Sequence, residues 1–226
     1  MSIKKSILIS TLIGLLALSF YFTMSNKDYK SLAKQLKGSY ILHNLDKPLP
    51  LFSLVDHNNN KFDNSRLEGQ WSLLLFIYTN CPDVCPTELF DMSRLKQIIV
   101  KDKKIDMPNV VAITFDPLRD TPKVLKKYIT NFDKDFIGVS GEQVQIDRLI
   151  KPFGTYYERV IYAENGKQII LKANGKLPER AIKEGYTINH TAWIYLINPK
   201  GQIFAGFPSP HKPSDMAKDI ERMVNF

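Results

Sequence analysis

The chain has 226 residues and carries a formal net charge of +8 at pH 7. This length is enough for one domain with a substantial core in addition to an N-terminal segment. Lysines are interspersed with Asp and Glu throughout, and no Arg-rich stripe with interleaved aromatic residues is present. The composition therefore argues against nucleic-acid binding. It favours a solvated basic surface that can attract an anionic membrane face or an acidic partner.

An apolar segment from Ile7 to about Met24 follows two lysines at the N-terminus. Its length is at the lower limit for a spanning helix, and no small-x-small cleavage site lies near its end. We therefore predict a membrane anchor over residues 1–26, with a cleaved signal peptide as the alternative. The preceding lysines place the rest of the chain outside the cytosol, although three lysines after the segment weaken this rule. We expect the periplasmic face of an inner membrane or an equivalent compartment.

Residues 27–44 are polar and lysine-rich, which predicts a tether between the anchor and a single domain at 45–226. The domain opens with two short apolar runs around the turn-rich cluster 56–60, a pattern that predicts a β-hairpin. Residues 71–78 are nearly all apolar or aromatic, as expected for a central strand buried on both faces.

Beyond this strand the predicted elements alternate, with helices at about 86–103, 122–132 and 142–151 and strands at 110–115 and 136–139. Residues 155–185 combine one strand candidate with Asn-Gly turns and scattered charge, which indicates an insertion. A hairpin over 191–207 and an amphipathic helix over 213–224 follow. This order predicts an α/β fold: a thioredoxin-like mixed sheet flanked by helices, with an N-terminal β-hairpin and an insertion before the last hairpin.

The two cysteines, Cys81 and Cys85, lie four residues apart, directly after the predicted central strand. A strand that leads through a turn into a helix exposes both sulfurs at the helix start, where the helix dipole favours thiolate over thiol. Residues four apart in a helix share one face. Such a pair can hold a soft metal or form a disulfide.

His190 immediately precedes the predicted closing hairpin, in a loop that the topology places beside the first helix. Two thiolates and one imidazole suit Cu(I), and they also hold Cu(II) with one further oxygen ligand. Zinc is the rival, but structural zinc generally takes four protein ligands and no fourth is evident.

Three separated motifs resemble the Sco/SenC family of copper-binding, thioredoxin-fold proteins, which serve assembly of the copper site in cytochrome c oxidase. They are the stretch from Cys81 to Leu89, the stretch from Thr114 to Pro122, and His190 with residues 191–201. The resemblance implies that Cys81 and Cys85 are the redox-active, copper-binding pair and that His190 is the third ligand. It also places Asp116 near the site in a supporting role.

Two residues depart from the family pattern. Asn80 stands where a His commonly precedes the first cysteine, and Asn189 stands where an Asp commonly precedes the metal-binding His. Neither position supplies a ligand in the family, so the expected copper site is complete. The missing carboxylate beside His190 is expected to alter control of its ring or recognition of a partner.

The function predicted from these features is a membrane-tethered copper chaperone that hands copper to the copper-bearing subunit of cytochrome c oxidase. Other copper carriers or a thiol reductant are expected as further partners. A thiol-disulfide oxidoreductase that reduces oxidase cysteines is the main alternative, since the same dithiol suffices. A peroxiredoxin-like peroxidase is a third possibility, although closely spaced cysteines plus a distant His fit a peroxidatic and resolving pair poorly.

Overall fold

The computed structural model describes residues 29–42, 47–171 and 177–226. The predicted anchor, residues 1–26, lies outside the described residues. Within the described ranges no helix combines the length and apolar character needed to cross a bilayer. The strands are β1 (Tyr40–Ile41), β2 (Ser53–Asp56), β3 (Lys61–Asp63), β4 (Ser72–Ile77), β5 (Asn109–Thr114), β6 (Ile137–Ser140), β7 (Tyr157–Tyr162), β8 (Gln168–Leu171), β9 (Thr187–His190), β10 (Trp193–Ile197) and β11 (Ile203–Pro208). The helices are α1 (Tyr29–Gln35), α2 (Val84–Asp102), α3 (Pro122–Ile129), α4 (Gln143–Ile150), α5 (Glu179–Glu184) and α6 (Pro213–Val224).

The main sheet has the order β1-β11-β10-β4-β5-β6-β2-β3. Its central strand β4 is buried at every position, because it pairs in parallel with β5 on one side and antiparallel with β10 on the other. The continuous apolar run predicted this location. The mixed sheet, its N-terminal hairpin β2–β3 and its closing hairpin β10–β11 confirm the predicted thioredoxin-like architecture.

One edge of this sheet gathers the segments that build the functional site. Parallel pairing places the C-terminal ends of β4 and β5 side by side, with Ile77 opposite Thr114. The antiparallel strand β10 begins at the same edge, since Ile194 pairs with Leu75. Loops that leave β4 and β5, and the loop that enters β10, therefore lie close together.

The predicted insertion folds into a small sheet of its own. Strands β8, β7 and β9 pair antiparallel in that order, and α5 connects β8 to β9. His190 is the last residue of β9 and pairs with Tyr157, whereas the sequence predicted that it lies in a loop. Its position is thus set by strand pairing.

The prediction of a polar tether at 27–44 is wrong for those residues of the segment that the structure describes. Tyr29–Gln35 is a helix, and Tyr40 and Ile41 pair with β11 as an edge strand. Leu32 is buried, and the Tyr29 ring packs against Phe204 and Phe226. The lysine-rich composition of this segment does not reveal that it contains a short helix, which packs its apolar face on the domain.

The buried carboxylate of Asp219, on α6, fixes this segment in place. It accepts hydrogen bonds from the Lys37 and Gly38 amides and from the Ser39 hydroxyl, at 2.8–3.1 Å. Three donors converge on one acidic side chain that is fully removed from solvent. The segment is therefore part of the folded domain from residue 29 onward in the described range.

Candidate metal centre

The two cysteines lie on the turn between β4 and α2. The Cys81 amide donates to the Tyr78 carbonyl at 3.1 Å, which closes the turn directly after the strand. Helix α2 begins at Val84, two residues before the predicted start, so Cys85 lies in its first turn. The Cys85 amide donates to Cys81 Sγ at 3.4 Å. The two cysteines are not joined by a disulfide in this structure.

His190 reaches this pair from the small sheet. Its Nε2 lies 3.5 Å from Cys85 Sγ, and the ligand atoms of Cys81, Cys85 and His190 all lie within 4.8 Å of one another. The other ring nitrogen, Nδ1, lies 3.1 Å from the Thr191 carbonyl. A carbonyl oxygen only accepts, so Nδ1 donates to it and Nε2 is the ring nitrogen that faces the sulfurs. The structure therefore brings together the three residues that the sequence singled out.

Aromatic side chains hold the imidazole in this orientation. The His190 ring centroid lies 5.0 Å from that of Phe115 and 6.1 Å from that of Tyr78, with the latter pair edge to face. Tyr78 follows β4 and Phe115 follows β5. The strand that leads to the cysteines and its parallel neighbour thus also fix the ring.

The two thiols differ in their surroundings. Cys81 is half-buried, and the Cys85 side chain, together with His190 and nearby backbone amides, lowers the pKa of its thiol well below the usual value. Cys85 is fully buried, and burial together with the Cys81 sulfur raises the pKa of its thiol. The lowered pKa favours a thiolate at Cys81, and the raised pKa favours a protonated thiol at Cys85. An incoming group meets Cys81 first.

A buried carboxyl lies on the first turns of the same helix. Glu88 is 3% exposed, and its Oε1 has no hydrogen-bond partner among the described residues. Burial, followed by the negative charges of Cys81 and Asp91, raises the pKa of Glu88 to about 8. The group is therefore protonated near neutral pH, and it limits the negative charge beside the thiolate.

Asp116, predicted as a supporting residue, acts through the small sheet. It is fully buried, accepts a hydrogen bond from the Tyr186 hydroxyl at 2.5 Å and pairs with Arg119. Arg119 in turn donates to the Tyr186 carbonyl at 2.9 Å. Tyr186 directly precedes β9, so these contacts fix the strand that delivers His190.

Asp120 contacts the cysteine loop more directly, and the sequence did not single it out for this role. Its carboxylate accepts from the Thr79 amide at 3.0 Å, from the Thr79 hydroxyl at 2.5 Å and from the Thr114 hydroxyl at 2.6 Å. The cap of α3 is Thr121, whose side chain accepts from the Val124 amide, so Asp120 is left to hold the loop. The feature of the sequence that could have indicated this contact is an acidic residue shortly after a buried strand.

The two departures from the family pattern lie on either side of the centre. Asn80 is exposed beside Cys81. Asn189 donates from its side-chain amide to Glu158 Oε1 at 3.1 Å, across the β7–β9 pair. The His190 ring is oriented by the Thr191 carbonyl, so it does not depend on a carboxylate at position 189.

Fold and site together define a thioredoxin-like domain with a dithiol and an imidazole at the C-terminal edge of its parallel strands. The sequence profile of the SCO1/SenC family matches residues 45–225, and the chain belongs to that family.

A SCO2-like protein of Rickettsia felis is 34% identical over 219 residues, which cover 97% of this chain and 96% of that protein. The structure of Bradyrhizobium japonicum ScoI with copper bound shares 32% identity at a TM-score of 0.60, covering 78% of this chain and 99% of that one. BsSco, described as having a disulfide switch and as a member of the Sco family of cytochrome c oxidase assembly proteins, has the same fold (23% identity, TM-score 0.56, 80% and 96% covered).

Proposed function

We propose that this protein is a copper chaperone that binds copper through Cys81, Cys85 and His190 and assists assembly of the copper centre of cytochrome c oxidase. The observation that carries the proposal is the convergence of two sulfurs and one imidazole nitrogen within 4.8 Å. Soft thiolates with an imidazole select copper over hard cations, and Cu(I) accepts three ligands. The described residues offer no fourth ligand atom in this cluster, a point against structural zinc.

The relatives support this choice of metal and client. The Bradyrhizobium japonicum relative was solved with copper bound, and BsSco is described as belonging to a family of oxidase assembly proteins. We propose the copper-bearing oxidase subunit as the client, and other copper carriers as donors of the metal. We also propose that residues 1–26 anchor the chain, with the domain on the periplasmic face of the inner membrane or in an equivalent compartment.

The asymmetric thiols suit transfer by ligand exchange. Cys81 is half-buried and Cys85 fully buried, so an incoming ligand displaces Cys81 first while Cys85 and His190 retain the metal. Because the Cys81 thiol already has a lowered pKa, metal binding there displaces few protons at neutral pH. Asp116 supports the site by holding the strand that carries His190.

The test is anaerobic copper titration of the full chain, followed by absorption for Cu(I) and by electron paramagnetic resonance for Cu(II). Wild type is expected to retain about one copper per chain, and Cys81→Ser, Cys85→Ser and His190→Ala are each expected to weaken binding at least ~10-fold. His211→Ala is the matched control, since His211 bonds a backbone carbonyl away from the cysteines. Wild type that retains no copper, or ligand variants that bind as wild type does, would refute the proposal.

A thiol-disulfide oxidoreductase that reduces oxidase cysteines is the second candidate. The low pKa of the Cys81 thiol beside a buried second thiol favours it, because that arrangement provides an attacking thiolate and a resolving thiol. Reductase activity that survives His190→Ala but is lost in Cys85→Ser would establish this role. Activity that requires His190 would instead reject an independent reductase function.

A further inference from the structure

A cavity of about 340 Å³ lies beside the metal centre, between the cysteine loop and the small sheet. Asn80, the residue before Cys81, forms part of its wall, and so do Arg119 and Thr187. Arg180 and Glu184, both on α5, also line it, together with Tyr162. The cavity thus connects the approach to Cys81 with the surface of the insertion.

Positive charge exceeds negative charge around this cavity. Arg119 and Arg180 line it, and Arg159 lies behind Tyr186 with its guanidinium 5.8 Å from the ring centroid. The wall carries one carboxylate, that of Glu184, while the fully buried Asp116 pairs with Arg119 and Arg159 behind it. Among the lining residues two guanidinium groups stand against one carboxylate, so the lining favours an anionic group.

The ion pair at the mouth is exchangeable. Arg180 Nε lies 2.7 Å from Glu184 Oε2, and the two side chains are 38% and 57% exposed. An exposed pair four residues apart in a short helix contributes little to stability. A ligand carboxylate can therefore share Arg180 with Glu184 at small cost.

The inner guanidinium is rigidly held. Arg119 pairs with Asp116, donates to the Tyr186 carbonyl and stacks on the Tyr186 ring at 3.7 Å. Its Nη2 is covered and has no hydrogen-bond partner among the described residues. Its charge reaches an anion in the cavity through space, and the exposed amide of Asn80 supplies an accessible donor beside it.

We infer that this cavity binds an acidic side chain of a polypeptide partner, close in that partner's sequence to the group that reacts at Cys81. Because Cys85 is buried, a partner must approach over Cys81, and the residues flanking its reactive group then lie against Asn80 and the cavity. The inference rests on the proposed function, in which a partner exchanges ligands at Cys81. It adds that the partner carries an acidic residue near its reactive group.

The probe is a set of synthetic peptides, each carrying one cysteine as a mixed disulfide with 2-thiopyridine and one variable residue three positions later: Glu, Gln or Lys. In the reduced full chain, the Cys81 thiolate attacks the peptide sulfur, a Cys81–peptide disulfide forms and pyridine-2-thione leaves. Cys85 then displaces the peptide as a free thiol, giving the Cys81–Cys85 disulfide. The rate of thione release, relative to that with an uncharged small disulfide, measures recognition of the variable residue.

We expect wild type to prefer the Glu peptide over the Lys peptide by about fivefold at low ionic strength, with a loss of preference in high salt. Arg180→Gln is expected to lower this ratio by about threefold, and Glu184→Gln to raise it by a similar factor. The two exposed substitutions act in opposite directions, which general damage to the fold would not produce. Arg94→Gln, an exposed change on α2, removes the same charge as Arg180→Gln and should leave the ratio unchanged.

Equal ratios in wild type, Arg180→Gln and Glu184→Gln would overturn the inference. So would a shift in Arg94→Gln as large as that in Arg180→Gln, since the effect would then be one of net charge. Copper retention measured on the same preparations separates the two proposals. Retained copper with equal ratios rejects the cavity and leaves the chaperone function standing, whereas absent copper rejects that function whatever the ratios are.

Discussion

At the scale of single residues, Cys81 and Cys85 have different roles although the sequence presents them as an equivalent pair. Their spacing and their position after an apolar run predicted the dithiol. The difference between them arises from burial, because α2 begins early enough to turn Cys85 into the core and leave Cys81 at the surface. Burial of this kind depends on the surrounding chain, and a local motif does not encode it.

Reactivity at acidic pH tests this difference. In reduced, metal-free protein at about pH 6, we expect iodoacetamide to label Cys81 at least ~10-fold faster than Cys85, because a lowered pKa keeps the Cys81 thiolate present as the pH falls. Labelling should disappear only as the pH falls through that lowered pKa. Site-resolved mass spectrometry over a pH series gives both rates.

Substitution of Cys85 identifies the cause of the shift. The Cys85 side chain is the largest contribution to the lowered pKa of Cys81, so Cys85→Ala should move the loss of Cys81 labelling to higher pH. Cys85→Ser keeps a side-chain donor and should move it less. Identical profiles in wild type and both variants would contradict this account.

At the scale of the elements, the predicted strands and helices are largely right where a long apolar run or a helical repeat spans the element. Strand β4 and helix α6 are examples, the latter with the predicted bounds. The link between Asp120 and Thr79 was missed because it joins residues 41 positions apart through side-chain direction. The placement of His190 in a strand was missed because the pairing of β9 with β7 arises inside a segment of weak periodicity.

The Asp120 link is expected to hold the cysteine loop. Asp120→Ala removes a buried acceptor of three hydrogen bonds and leaves their donors without partners, which should lower the free energy of unfolding by roughly 2–4 kcal/mol. Amide exchange at Thr79 should also become faster.

Denaturant unfolding and amide hydrogen exchange measure the two effects of Asp120→Ala. Asp106→Ala serves as the control, because Asp106 is exposed and its removal should change neither quantity. An Asp120→Ala protein with wild-type stability and unchanged exchange at Thr79 would show that the loop is held by other contacts.

At the scale of the whole molecule, the candidate metal centre joins two sheets. The cysteines follow a strand of the eight-stranded sheet, and His190 ends a strand of the three-stranded one. A metal bound by all three residues cross-links the sheets, so its binding energy opposes any opening that separates them.

Hydrogen exchange of the full chain with and without Cu(I) tests this coupling. We expect amides of β9, such as that of Ile188, to exchange at least ~10-fold more slowly with the metal bound, while amides of β2 change much less. The effect should be absent in His190→Ala. Uniform protection of both strands would indicate global stabilisation, and no protection of β9 would argue that His190 does not hold the metal.

The position of α1 places the N-terminal attachment at the end of the domain opposite the thiols. Tyr29 packs beside Phe204, which in turn contacts Trp71 just before β4, at the edge of the sheet farthest from Cys81. Whatever is joined ahead of Tyr29 is therefore attached to one pole of the domain, and the thiols lie at the other. If that attachment is to a lipid surface, Cys81 and Cys85 lie on the side of the domain that faces away from it. The copper site of a recipient must then reach as far from the lipid headgroups as the length of the domain.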